Sequence, residues 1–300
     1  AQAVFLAMDG KASAASKEED EVFKRINDSK DKLQQAIWEA ESATTAKKTF
    51  ADSLWQYASE IATEQKKFQI AVDCVLKMWA NEKEAESNDK KTQGDNPQGF
   101  SFAVARDHML LDQILPKALK EKDLDSSEYA VNRIQDNDLR STGILKVAAK
   151  YLELGNKAQS YESMQDALKL LEKGDETTHR VRITLSSIPI AMGIEKSNAF
   201  ETVSLAIRMA NHLPTPNPED KLGTEARIKY VDGVLMPNAY NLEKAFKILA
   251  KSDVGFAASI AQEIQPKSWR LVADIVVETE RLYPLDKQPK RIEQTPKSSN

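Results

Sequence analysis

Apolar residues recur along this chain at helical spacing, and that spacing decides what it can fold into. Between residues 17 and 40 they fall at Val22, Ile26, Leu33, Ile37 and Ala40, in steps of four, seven, four and three. Such steps line one face of a 3.6-residue period, and Glu, Asp, Lys and Gln fill the other face. A chain built this way must bury its stripes between helices. Its poverty in turn residues says the same. Ten Gly and 11 Pro make 21 of 300 residues, or 7%, against about 12% in average usage. Barrels and sandwiches need a turn about every 8–12 residues, and collagen needs far more glycine. Charged residues of both signs reach 29% and hydrophobic residues 41%, a balance suited to a folded chain.

The same period predicts further helices. Residues 49–63 carry Phe50, Leu54, Ala58, Ile61 and Ala62. After a polar hinge at 64–67, the next helix carries Phe68, Ala71, Val75, Leu76 and Trp79 and is expected to run to Ser87. The two make an αα-hairpin. Residues 82–99 hold no apolar side chain except Ala85, and 88–99 reads as a flexible loop or linker. Helices are expected again at 103–111, around Pro116, from Asp125 or Ser126 to Ile134, and over 139–154 and 158–172. Asp138 is the expected cap of the 139–154 helix, and Gly155 its C′ residue. In 178–192, entered through Asp175 or Thr177, Val181, Ile183 and Leu185 alternate with Arg180, Arg182 and Thr184 in a strand-like way. No partner strand is in sight, so a helix bent at Pro189 is expected. Residues 197–213, 222–235, 242–251, 254–264 and 268–283 complete the helices, with Pro214, Pro216 and Pro218 in a stiff connector. The organisation is then a flexible segment 1–16, helical hairpins 17–87, the loop or linker 88–99, a helical repeat array 100–284 and a disordered tail 285–300.

Two stretches align without gaps at an offset of 130. Arg133, Ile134, Gln135 and Arg140 stand against Glu263, Ile264, Gln265 and Arg270, and Leu145 and Val147 against Ile275 and Val277. A weaker copy at an offset of 40 sets Arg140 on Arg180 and Leu145 on Leu185. One helix pair cannot bury its own stripe, so such units stack and share a core. The stretches LWQYASEIATEQKKFQIAV, from Leu54, and ILKVAAKYLELGNKAQSYESMQDA, from Ile144, put small alanines where two helices cross, and the second has a Leu-Gly turn. In these pieces the chain resembles the tetratricopeptide-like superfamily of αα-repeats. That resemblance implies an all-α, right-handed αα-hairpin solenoid of about 11–13 helices, binding proteins or peptides along a concave groove. It brings no catalytic residues.

The chemistry-bearing residues are few. Cys74 is the single cysteine, so it closes no internal disulfide, and it reads as a small buried hydrophobe. His108, His179 and His212 never pair at metal-ligand spacing. No GxSxG elbow and no glycine-rich phosphate loop occurs. The carboxylate pairs Glu19/Asp20, Asp123/Asp125 and Glu278/Glu280 read as solvated surface, and Trp38, Trp55, Trp79 and Trp269 as core. Arg140, Arg180 and Arg270 are expected to hold the preceding helix end, and alternatively to form a row of anion-binding side chains. No catalytic, cofactor or metal residue is therefore expected, and no cofactor.

A net charge of −4 argues against nucleic acid as partner, with the basic run at 287–291 read as solvated. No run of 18 apolar residues suggests a transmembrane segment. The start Ala1-Gln2-Ala3 suits a signal-peptidase product, which gives a periplasmic or secreted expectation, and a cytoplasmic one otherwise. The functional expectation is a non-enzymatic helical-repeat scaffold for protein or peptide partners. The alternatives are an all-α enzyme acting on glycans through a cleft carboxylate, and a structural subunit of a secreted or envelope assembly.

Overall fold

The computed structural model describes residues 12–78, 102–173, 177–213 and 242–283. Among them every regular element is a helix. They are α1 (Ala12–Asp28), α2 (Lys32–Thr45), α3 (Ala51–Glu64), α4 (Phe68–Lys77) and α5 (Phe102–His108). A π-helical turn (Met109–Ile114) leads from α5 into α6 (Leu115–Lys120), followed by α7 (Leu124–Val131), α8 (Asn137–Glu153) and α9 (Lys157–Glu172). Then come α10 (Thr178–Ser186), α11 (Ile188–Ile194), α12 (Lys196–His212), α13 (Leu242–Ser252), α14 (Val254–Gln262) and α15 (Lys267–Leu282). The chain divides into two compact units, residues 1–150 and 151–300.

In the first unit α1 lies on α2, α2 on α3 and α3 on α4, and α4 packs on α7 and on the π turn. Ile26, Leu33, Leu54, Trp55, Val72 and Val75 are buried there, each contributing about 1.5–3 kcal/mol. Ala36, Ala40, Ala58, Ala62 and Ala71 are fully buried, which lets neighbouring backbones approach. This unit includes helices on both sides of residues 88–99.

Three of its helix ends share one device with the first helix end of the second unit. Lys47, Lys66 and Lys122 have φ of 52°, 58° and 62°, and Gly155, at the start of the second unit, has 82°. The residue after each donates its N–H back to the carbonyl five residues earlier: Lys48 to Ala43 at 2.9 Å, Lys67 to Ala62 at 2.8 Å, Asp123 to Ala118 at 3.0 Å and Asn156 to Tyr151 at 2.9 Å. These are Schellman turns, and they satisfy carbonyls the helix leaves unpaired. Gly155 takes its expected place as a C′ residue. Three lysines hold the same left-handed conformation without glycine's freedom.

In the second unit α10 and α11 pack on α12, α13 touches all three, and α15 lies against α13 and α14. Trp269, Phe246, Met164, Leu171, Leu185 and Ile188 are its largest buried side chains. Phe200 stacks on Phe256 with ring centroids 3.8 Å apart. Asp253 opens α14 by accepting from Phe256 N–H at 2.9 Å.

Several boundaries differ from the sequence reading. α1 starts at Ala12, inside the segment 1–16 read as flexible, because alanine favours the helix. α4 stops at Lys77, not Ser87, where Met78 turns to an extended φ/ψ of −60°/145°. α7 is opened by Asp123, which accepts from Ser126 N–H, not by Asp125 or Ser126. Asp136 replaces Asp138 as the cap of α8 by accepting from the N–H groups of Asp138 and Leu139 at 2.9 and 2.8 Å. The 178–192 stretch is helical but splits at Ser187, where Pro189, lacking an N–H, sits in the first turn of α11. Thr177 caps α10 through Arg180 N–H. Trp79, the 88–99 loop, the 214–218 connector, the 222–235 helix and the 285–300 tail lie outside the described residues.

One ion pair ties α1 to α2. Arg25 donates Nε to Glu39 Oε1 at 2.9 Å and Nη2 to Oε2 at 3.1 Å, and Gln35 adds a bond at 3.1 Å. The Arg25 hydrogen bonds hold the buried Glu39 carboxyl below the ordinary glutamate range. A carboxyl lowered by folding stabilises above its unfolded pKa of about 4.3, and that contribution is lost as pH falls through the folded value. Glu39→Gln should cost about 1–2 kcal/mol at pH 7 and flatten the acid limb of a urea-midpoint profile below about pH 4.3. An unchanged acid limb sinks this assignment.

Candidate functional site

Two places concentrate chemistry, one in each unit. In the first, α5, the π turn and α8 bring together a polar cluster. Asp107, 1% exposed, accepts at Oδ2 from the backbone N–H groups of Gln135 and Asp136 at 2.9 and 2.8 Å. Arg106 is also buried, and its Nη2 lies 3.7 Å from Asp107 Oδ1. One turn on, His108 Nδ1 meets Asp112 Oδ2 at 3.2 Å. From α8, Lys146 Nζ reaches Leu111 O at 3.4 Å and Asp112 Oδ1 at 3.7 Å. Burial pushes the Lys146 ammonium below the usual lysine range. Asp107 and Lys146 reach groups on other segments and so join helices, whereas Arg106 and His108 meet carboxylates of their own helical run.

The second unit repeats the motif of Asp107. Asn211 of α12 accepts from Gln265 N–H at 2.8 Å and donates to Glu263 O at 2.9 Å. Gln135 and Gln265 are the residues aligned at an offset of 130. In each of the two aligned segments the inter-helix turn is therefore clamped by a short polar side chain from an earlier helix.

The three repeated arginines all reach back to the preceding helix end. Arg270 Nε donates to Ile264 O at 2.7 Å, Arg180 Nη1 to Leu171 O at 3.4 Å and Arg140 Nη2 to Asn132 Oδ1 at 3.2 Å. Arg270 and Arg180 thus hold backbone carbonyls, while Arg140 meets a side-chain amide and its Nε is buried without a hydrogen-bond partner.

The open surface of the second unit is different. α15 buries Trp269, Ala273 and Val277. On another face it exposes Leu271 (60%), Ile275 (57%) and Leu282 (68%), with Tyr283 (67%) just beyond. A groove of about 240 Å³ runs beside this face, lined by Val272, Ile275, Val276 and Thr279 of α15 and rimmed by Glu243, Lys247 and Glu280. Leu271 and Ile275 stand one turn apart on that face, and Glu278 separates them from Leu282.

The remaining sequence candidates are placed as follows. Cys74 is buried and free, and burial pushes its thiol up to about 11, so it carries almost no thiolate near neutrality. Trp55 and Trp269 are core, as expected, and Trp55 donates Nε1 to Thr44 at 2.9 Å. Trp38 is not: it is 57% exposed, because α2 buries Leu33, Ala36, Glu39, Ala40 and Ala43 on the opposite side. His108 touches Asp112, while His179 lies in the first turn of α10 and His212 ends α12. Among the described residues, no three His, Cys, Asp or Glu side chains converge to hold a metal ion. Burial raises the Glu19 carboxyl, with a bond to Ser53 opposing it, and Glu278 is paired with Arg281 at 3.0 Å. No described helix is long and apolar enough to cross a membrane.

No protein-family model, no curated protein and no solved structure matches the chain.

Proposed function

We propose that this chain is a non-enzymatic αα-repeat protein of the tetratricopeptide-like, right-handed solenoid kind, which binds protein partners. The observation that carries this reading is the stripe of Leu271, Ile275 and Leu282 beside the α13–α15 groove. Repeat arrays need terminal repeats with polar outer faces to stay soluble. Here the last described helix presents an apolar outer face, so it acts as a surface to be covered. The clamped turns at Gln135 and Gln265, 130 residues apart, support repeated units.

The test compares capture by the full chain and by a Leu271→Ser/Ile275→Ser variant of unchanged unfolding midpoint. Supporting the proposal means a saturable protein partner retained by the first and lost by the second. Identical capture by both removes the groove from the function.

A further inference from the structure

The π turn between α5 and α6 leaves a buried carbonyl without a backbone donor. Leu115 gives its N–H to Leu110 O, five residues back, where an α-helix would pair it with Leu111 O. In that pattern Leu111 O should take the N–H of residue 116, but residue 116 is proline and has none. Leu111 is 2% exposed, so water does not serve its carbonyl, and a buried carbonyl without a donor is costly. The donor it meets is Lys146 Nζ of α8, at 3.4 Å. The same ammonium lies 3.7 Å from Asp112 Oδ1, and the other oxygen of that carboxylate meets His108 Nδ1 at 3.2 Å.

An ordinary α register would orphan a different carbonyl. Leu115 N–H would return to Leu111 O, and Pro116 would leave Asp112 O unpaired instead. Asp112 is exposed, so water can serve that carbonyl. The α register is therefore self-sufficient, and the π register needs a donor from outside. We propose that the π turn is a two-register joint latched by Lys146, whose ammonium stands in for the N–H that Pro116 lacks. The consequence reaches past the turn. A π turn holds one residue more than an α turn, so a change of register rotates α5 by about 100° relative to α6. That rotation carries Asp107 away from the N–H groups of Gln135 and Asp136, which it holds at 2.9 and 2.8 Å. Lys146 is thus a positioning residue for the Asp107 clamp, acting through the turn and without touching Asp107.

The test is amide hydrogen exchange of the full chain, followed residue by residue by NMR. Lys146→Met removes the donor and keeps most of the side chain's length. The Gln135 and Asp136 amides should then exchange about ten-fold faster or more, as expected for loss of a charge-assisted bond, while the amides of α3 keep their rates. Lys146→Arg still carries a donor and should leave both amides protected. A thermal-unfolding cycle with Pro116→Ala separates the latch from the ion pair with Asp112. Pro116→Ala restores an N–H at this position, so Leu111 O has a backbone donor in either register. Lys146→Met should therefore lower the unfolding midpoint far less in that background than in the unaltered chain. Unchanged exchange at Gln135 and Asp136 in Lys146→Met overturns the latch. So does an equal fall of the midpoint in both backgrounds, which would assign Lys146 to the Asp112 ion pair alone. If Lys146→Met does not fold, the double variant decides: it folds if Lys146 is the substitute donor and stays unfolded if Lys146 acts only through Asp112.

Discussion

Asp107→Ala should be among the most damaging single substitutions in the first unit, costing about 3 kcal/mol. Two charge-assisted bonds, from Gln135 and Asp136 N–H, are lost together. The buried Arg106 guanidinium, 3.7 Å away, loses its counter-charge at the same time. Water can reach the freed N–H groups, since Gln135 and Asp136 are exposed, so the bonds are partly replaced while the unpaired guanidinium is not. For a unit of 150 residues, about 3 kcal/mol lowers the unfolding midpoint by about 6–12 °C, readable by scanning calorimetry. Asp107→Asn separates the two contributions. The amide oxygen still clamps the turn, as Asn211 does in the second unit, and only the counter-charge goes. The loss should be about half that of alanine. If alanine and asparagine cost the same, the turn clamp contributes nothing and the ion pair carries the whole effect.

That clamp also shows how far the sequence could be read. The offset of 130 was visible because Ile-Gln and Arg recur in the segment that is clamped. The clamping residues were not visible, because Asp107 and Asn211 lie 28 and 54 residues before the glutamines they hold and share neither residue type nor local pattern. Helices were legible wherever one face was apolar. Their ends were legible where the usual residue served, as at Gly155. Glycine is not required for such an end: the polar hinge 64–67 marked the one at Lys66, and three of the four left-handed turns among the described residues use lysine. The conformation is fixed there by the backbone bonds of the Schellman turn, and no glycine marks it.

The candidate site was hidden for a related reason. Leu271, Ile275 and Leu282 fall inside the expected 268–283 helix with nothing in the sequence to set them apart, because periodicity gives the spacing of apolar residues and not the number of faces they occupy. α15 carries two faces, one through Trp269, Ala273 and Val277 and one through the exposed stripe. Both alternate at helical spacing, and only packing shows which is covered. Trp38 is the converse case: an aromatic assigned to the core by type, yet turned outward because alanines already fill the inner side of α2.

Gly143→Leu should rival Asp107→Ala. A Cβ at position 143 would sit 3.0 Å from Val131 Cγ2 and 3.4 Å from Leu111 Cδ1, so the side chains of α7 and the π turn already fill the space beside this glycine. Gly143→Ala combines opposite effects. It removes glycine's helix penalty, about 1 kcal/mol, and compresses a methyl contact by a few tenths of an ångström, so it should lie near neutral. Leucine adds three further carbons to a site that already has to give for the first. It should cost about 3 kcal/mol, at the upper end of overpacking, as α8 is levered off its neighbours. A second readout makes the cause specific. Lys146 is one turn along the same helix face, and its reach to Leu111 O, 3.4 Å, and to Asp112, 3.7 Å, depends on that close approach. In Gly143→Leu the ammonium is released to solvent and returns to the ordinary lysine range. A pH titration of the Lys146 ε-methylene followed by NMR should then give the midpoint of an exposed lysine, and a lower midpoint in the unaltered protein. A leucine variant that unfolds early while Lys146 keeps its lowered midpoint would mean that strain relaxes inside α7, through Val131, and that the π turn keeps its hold on α8.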